Sequence, residues 1–114
     1  MSLLVFGHKN PDTDSICSSL VMTNFKKSLG LDAVACCLGE LRKEAEFVLN
    51  YFGVEGPKLI ESVKEGDLCC LVDHNEYGQS VDGLENATIV EIVDHHKLGG
   101  ITTPAPLSVT LRPV

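Results

Sequence analysis

Three short clusters of acidic and histidine side chains carry most of the chemistry this sequence could do. They read His8-Lys9-Asn10-Pro11-Asp12-Thr13-Asp14-Ser15, then Asp73-His74-Asn75, then Asp94-His95-His96. All four histidines of the chain fall inside them. Imidazole nitrogens mixed with several carboxylate oxygens form a ligand set for a hard or borderline divalent cation, not for a structural zinc held by thiolates. The clusters offer more donors than one ion needs, so two ions are expected, with one carboxylate shared between them. An ion pair of this kind acidifies a bridging water and neutralises phosphoryl oxygens. Phosphoryl transfer asks the protein for positioning and charge stabilisation more than for covalent help. A metal-dependent reaction on a phosphate compound is therefore the leading expectation.

Each cluster follows a short apolar run, at residues 3–6, 68–72 and 89–93. Strands are expected at 2–6, 33–38, 57–60, 68–72, 88–93 and 107–111. Helices are expected from the first cluster to about residue 29, where Gly30 stops it, and over 41–52, ended by Gly53. Pro11 suits the first turn of the first helix, and Asp12 and Asp14 sit where the helix dipole favours negative charge. Ile16, Leu20 and Phe25 are expected to face inward. In the second helix Ala45, Val48, Leu49 and Phe52 recur at i, i+3, i+4, i+7, one buried stripe. Residues 61–66 read as a polar connection with room for one helical turn, and 80–86 as a short helix. This alternation predicts an α/β fold: an open, mostly parallel sheet with helices on both faces. Ligands bind such sheets beyond the carboxyl ends of the strands, where all three clusters fall.

At 114 residues the chain has a single-domain length, and 44% hydrophobic content suffices for one core. The formal charge of −7 and only nine basic residues weigh against non-specific nucleic-acid binding, which needs clustered Lys and Arg. No apolar run reaches membrane-spanning length, and no signal peptide is visible. The five cysteines, four of them in adjacent pairs, do not suit a disulfide framework. They read as buried small hydrophobes in a reducing, cytoplasmic compartment. One histidine pair, or one aspartate at a helix start, is more often surface or capping chemistry. The conjunction at three strand ends is what carries the metal site. His74 and Glu76 read as supporting or surface groups, not ligands.

At these residues the sequence resembles the N-terminal domain of the manganese-dependent, family II inorganic pyrophosphatases. These belong to the DHH phosphoesterase superfamily, named for a motif of the Asp94-His95-His96 type. The likeness runs from the first strand to about Pro113. Residues 8–15 are its most specific part, followed by Asp73-His74-Asn75-Glu76 and Gln79-Ser80. The resemblance implies one ion held by His8, Asp12 and Asp73, and a second held by Asp14, Asp73 and His95, with Asp73 bridging. It implies a catalytic set of Asp73, Asp94 and His96. His96 would contact phosphate or protonate the leaving group, with Lys97 beside it on the substrate side, and Asp94 would orient the neighbouring histidines. The implied cofactors are two Mn2+, with Co2+ as an alternative, and Mg2+ accompanying the substrate. The implied reaction is hydrolysis of pyrophosphate to two phosphates by a metal-bridging hydroxide, in a homodimer.

The resemblance also sets a limit. Residues 1–114 would form a DHH-type N-terminal domain that is incomplete at its C-terminal end. A further metal-binding carboxylate and the basic C-terminal domain that clamps substrate would be absent. The chain alone is therefore expected to bind manganese weakly and to show little or no pyrophosphatase activity. Two other readings compete. A DHH-superfamily phosphodiesterase of short oligonucleotides or cyclic dinucleotides would usually carry Gly in place of Thr13 and Ala in place of Ser15. A non-catalytic metal-binding or dimerisation module is the third.

Overall fold

The computed structural model describes residues 2–113. Six strands form one sheet: β1 (Leu3–Phe6), β2 (Ala33–Cys37), β3 (Lys58–Leu59), β4 (Leu68–Val72), β5 (Thr88–Asp94) and β6 (Ser108–Leu111). Two α-helices, α1 (Thr13–Ser28) and α2 (Lys43–Phe52), follow β1 and β2. Every pairing is parallel, in the order β3-β2-β1-β4-β5-β6. The chain steps outward from β1 to β3, crosses back, and steps the other way from β4 to β6. The order therefore reverses between β1 and β4, and the crevice at such a reversal is where these sheets bind ligands.

Buried parallel strands read as continuous apolar runs because both faces are covered. Leu3, Val5, Ala33, Cys70 and Val72 pack on the face under α1, with Met22 against them. Phe6, Cys36, Leu71 and Ile92 pack on the other face against Val63, Val81 and Leu84. Adjacent cysteines thus point to opposite faces, as strand geometry requires. Cys36, Cys37, Cys69 and Cys70 are buried and all five thiols are free. Burial pushes the Cys36 thiol up to about 11 and those of Cys69 and Cys70 to about 12, so these thiols stay protonated and inert. Among the described residues no helix is long and apolar enough to cross a membrane.

Four local expectations change. Helix α1 begins at Thr13, so Pro11 lies outside it, and Asp12 is the N-cap. The connection at 61–66 makes no helical turn and instead bridges to the 80–86 segment through Ser62 and Asp82. The expected helix at 80–86 is replaced by two 3-10 turns, Tyr77–Gln79 and Leu84–Asn86. Ser80 is extended and Gly83 has φ +86, which breaks a continuous helix; a Cβ at Gly83 would overlap the Val63 carbonyl oxygen. Finally, Phe25 is 54% exposed and Phe52 70% exposed. The fully buried residues of α1 are Ser15, Ile16, Ser19 and Thr23, with Leu20 and Met22 partly buried beside them, and Phe25 lies outside this seam. The buried residues of α2 are Ala45 and Leu49, which pack with Ile16 of α1, and Phe52 stacks edge-on with Tyr51 on the outer surface.

Candidate metal centre

The first cluster is built by close packing of the β1 end on the start of α1. A Cβ on Gly7 would lie 2.8 Å from Ser15 Cβ and overlap its hydroxyl, so only glycine lets the chain pass here. The buried Ser15 hydroxyl accepts the His8 backbone N–H at 2.9 Å. Asp12 Oδ1 caps the helix by accepting the Ser15 backbone N–H at 2.9 Å, an interaction typically worth about 1 kcal/mol. His8 Nδ1 donates to the Lys9 carbonyl at 2.7 Å. That bond fixes the tautomer and turns the Nε2 lone pair into the crevice. The start of α2 braces this turn: its N-cap residue Arg42 donates to the Asn10 carbonyl at 2.9 Å, and Thr13 donates to Glu44 in its first turn. Asn10 has φ +51, a conformation asparagine tolerates better than most residues.

Asp73, at the end of β4, is the hub. It is buried, with φ +61. A bulge in β5 shifts the later pairing so that Val72 faces Val93, which sets Asp73 beside Asp94. Asp73 Oδ2 lies 3.3 Å from His8 Nε2, and His8 Nε2 lies 3.7 Å from Asp12 Oδ1. Asp73 Oδ1 accepts from His95 Nε2 at 2.7 Å, and His95 Nε2 lies 3.4 Å from Asp14 Oδ2. The five residues expected as metal ligands therefore converge, and the two oxygens of Asp73 face different histidines. Burial pushes the Asp73 carboxyl up, Asp14 and Asp12 add to this, and His95 and His8 oppose it. The Asp73 hydrogen bond raises His95. A cation among three carboxylates and two imidazoles relieves this crowding of negative charge, so the donor set fits a divalent metal.

Asp94 has a different environment. Its Oδ1 accepts from the His95 backbone N–H and from His96 Nδ1, each at 2.7 Å, and its Oδ2 accepts from Asn75 Nδ2 at 2.6 Å. Burial would push its carboxyl up, yet the bonds from Asn75, His95 and His96 outweigh that and hold it low. Asp94, His95 and His96 lie close enough to Asp73 to share an ion geometrically. Because both Asp94 oxygens are already hydrogen-bonded, the residue is better suited to orienting its neighbours than to coordinating. His96 and Lys97 are exposed at the crevice mouth. An open groove of about 760 Å³ continues from Asp14, Asp73 and His95 along α1 past Val21, with Arg112 on its rim.

His74 does not reach the crevice. It is fully buried, donating from Nδ1 to the Val72 carbonyl and accepting at Nε2 from Ser80, both at 2.8 Å. Burial lowers it to about 4. A histidine lowered on folding stabilises fully above its unfolded value near 6.5 and loses that contribution as pH falls towards 4. The metal-free chain should therefore lose roughly 3 kcal/mol of stability over that window, a loss absent from His74→Gln. Urea denaturation of both proteins at pH 7.5 and 4.5 checks this; equal pH dependence in the two would contradict it.

Two parts of the centre escaped the sequence. The Gly7–Ser15 contact had one signal, a glycine directly after a strand. The hydrogen bonds of Asn75 had none beyond its place beside Asp73.

A six-stranded parallel sheet with Asp/His clusters at its order reversal defines a class, and comparison with known proteins agrees. Residues 2–114 match the DHH family, N-terminal domain, and the chain belongs to that family. It is 50% identical to a probable manganese-dependent inorganic pyrophosphatase of Exiguobacterium sp., over 99% of this chain and 37% of that protein. It is 48% identical to the protein of the same name from Oceanobacillus iheyensis, over 97% of this chain and 36% of that one. A crystal structure from Methanococcus jannaschii, named provisionally as a family II inorganic pyrophosphatase, superposes with a TM-score of 0.88 at 45% identity. That alignment covers 98% of this chain and 34% of the other. The chain thus spans little more than a third of the relatives it matches.

Proposed function

We propose that this chain supplies the two-metal part of a manganese-dependent inorganic pyrophosphatase. The observation that carries the reading is the divided carboxylate of Asp73, one oxygen towards His8 and the other towards His95. His8, Asp12 and Asp73 would hold one ion; Asp14, Asp73 and His95 would hold the other. Manganese bound there supplies charge neutralisation for phosphoryl oxygens and an acidified water. Cobalt fits the same donors, and magnesium would travel with the substrate. Asp94 holds Nδ1 of His96, which leaves Nε2 to exchange a proton with a substrate oxygen. Lys97 adds positive charge beside it. The free thiols support a reducing, cytoplasmic setting. The outer edge of β6 is unpaired among the described residues, which supports homodimer formation along it.

The test joins this chain to the remaining residues of the Exiguobacterium relative and assays the manganese-loaded product. Hydrolysis of pyrophosphate, with no cleavage of a cyclic dinucleotide, is expected. The 114-residue chain alone should turn over pyrophosphate far more slowly. Dinucleotide cleavage without pyrophosphate hydrolysis would replace the reading with the phosphodiesterase one. Manganese binding with neither activity would favour a non-catalytic module.

A further inference from the structure

Asn75 is buried and uses every polar atom of its side chain. Nδ2 donates to Asp94 Oδ2 at 2.6 Å and to the Lys97 carbonyl at 3.0 Å, and Oδ1 accepts the Gly99 backbone N–H. Both amide hydrogens are spent on acceptors and the amide oxygen on a donor, so the orientation of the group is fixed. No other residue type supplies this pattern at this length. Aspartate would set a second carboxylate against buried Asp94, and alanine would leave the buried Asp94 oxygen and the partly buried Lys97 carbonyl and Gly99 N–H without this partner. The opposite side of the contact is equally restricted. A Cβ on Gly99 would stand 2.5 Å from the Asn75 carbonyl oxygen and 2.8 Å from its Oδ1. The two loops that leave β4 and β5 are therefore locked together by Asn75 and Gly99. What they enclose is Asp94, whose other oxygen holds the His95 N–H and the His96 ring.

We propose that Asn75 is a positioning residue: through Asp94 it sets the direction of the His96 ring, while contributing nothing to metal coordination. The assignment of His96 to the substrate rests on the pyrophosphatase reading; the positioning itself does not. If the amide is lost, Asp94 is free to turn and the Asp94–His96 bond is no longer held in the crevice. The site formed by His8, Asp12 and Asp73 hangs from β1, α1 and β4, so it should persist.

The test is nitrogen-15 NMR of the histidine rings in the 114-residue chain, wild type and Asn75→Ala, with manganese affinity measured on both by calorimetry. In the wild type His96 should show a hydrogen-bonded Nδ1–H that is slow to exchange with water. In Asn75→Ala that signal should vanish, while affinity for the first manganese changes less than about threefold. Retention of the His96 signal in a folded Asn75→Ala protein overturns the proposal. If Asn75→Ala does not fold, Gly99→Ala presses on the same amide from the other side and must also remove the signal; its persistence there is equally fatal. A joined, full-length protein provides the catalytic reading: turnover of pyrophosphate should fall at least tenfold in Asn75→Ala with KM nearly unchanged. A lost ring signal with no change in turnover retires His96 as a substrate residue and leaves the positioning role standing.

Discussion

Asp73→Asn should weaken manganese binding at both sites by more than about 100-fold. Loss of a group that merely orients a ligand costs 10- to 100-fold, and Asp73 is a direct candidate ligand facing both His8 and His95. An amide has one acceptor oxygen, so at least one histidine would confront an N–H donor instead. The substitution is otherwise mild. Asparagine has the same shape and tolerates the φ of +61 found at this position. It also removes a buried carboxylate crowded by Asp12 and Asp14. The metal-free variant should therefore be as stable as the wild type, or more so. What disappears is the rise in melting temperature that manganese gives by binding the folded state alone. Thermal scans with and without Mn2+ separate the two effects; a variant unstable without metal, or still stabilised by it, would contradict the role given to Asp73.

Gly7→Ala has the second largest expected effect, and it acts through the fold. The new methyl would overlap the Ser15 hydroxyl and lie 2.8 and 3.1 Å from Ser15 Cβ and Cα. Ser15 is buried in the first turn of α1, so it cannot swing aside. Overpacking of this kind typically costs 1–3 kcal/mol, and contact with backbone puts this case near about 3 kcal/mol. The strain falls on the hydrogen bond that places His8, so manganese affinity should drop as well. Ser15→Ala removes the hydroxyl but keeps the Cβ, and relieves part of the clash. The two substitutions should therefore be less than additive in denaturation experiments. Strict additivity would mean that the two residues do not press on one another.

How much of this was legible beforehand follows from which physics wrote each signal. The residue 68–72 strand could be read to its ends because buried parallel strands are uniform apolar runs between breakers. Helix α2 ended where Gly53 allowed a left-handed cap, φ +64. The Asp/His cluster was legible because apolar runs at 3–6, 68–72 and 89–93 are each followed by Asp and His residues. On helix α1 the inward reading holds for Ile16 and Leu20 and fails at Phe25, for the opposite reason. Its buried stripe is Ser15, Ile16, Ser19 and Thr23, small and largely polar, while Val21 and Phe25 lie outside. An apolar periodicity cannot find a seam made by small side chains. The 80–86 segment looked helical by composition, yet the left-handed Gly83 is fixed by the nearby Val63 carbonyl, a contact distant in sequence. Asn75 was likewise silent, since its role depends on Lys97 and Gly99 arriving from another loop.

The central claim is that Asp73 bridges two ions, and electron paramagnetic resonance of the manganese-titrated chain tests it most directly. As the second equivalent binds, the hyperfine-split spectrum of isolated Mn2+ should give way to the signature of an exchange-coupled pair, in the wild type and not in Asp73→Asn. Two magnetically independent ions, saturation at one ion per chain, or a coupled pair that survives in Asp73→Asn would contradict it.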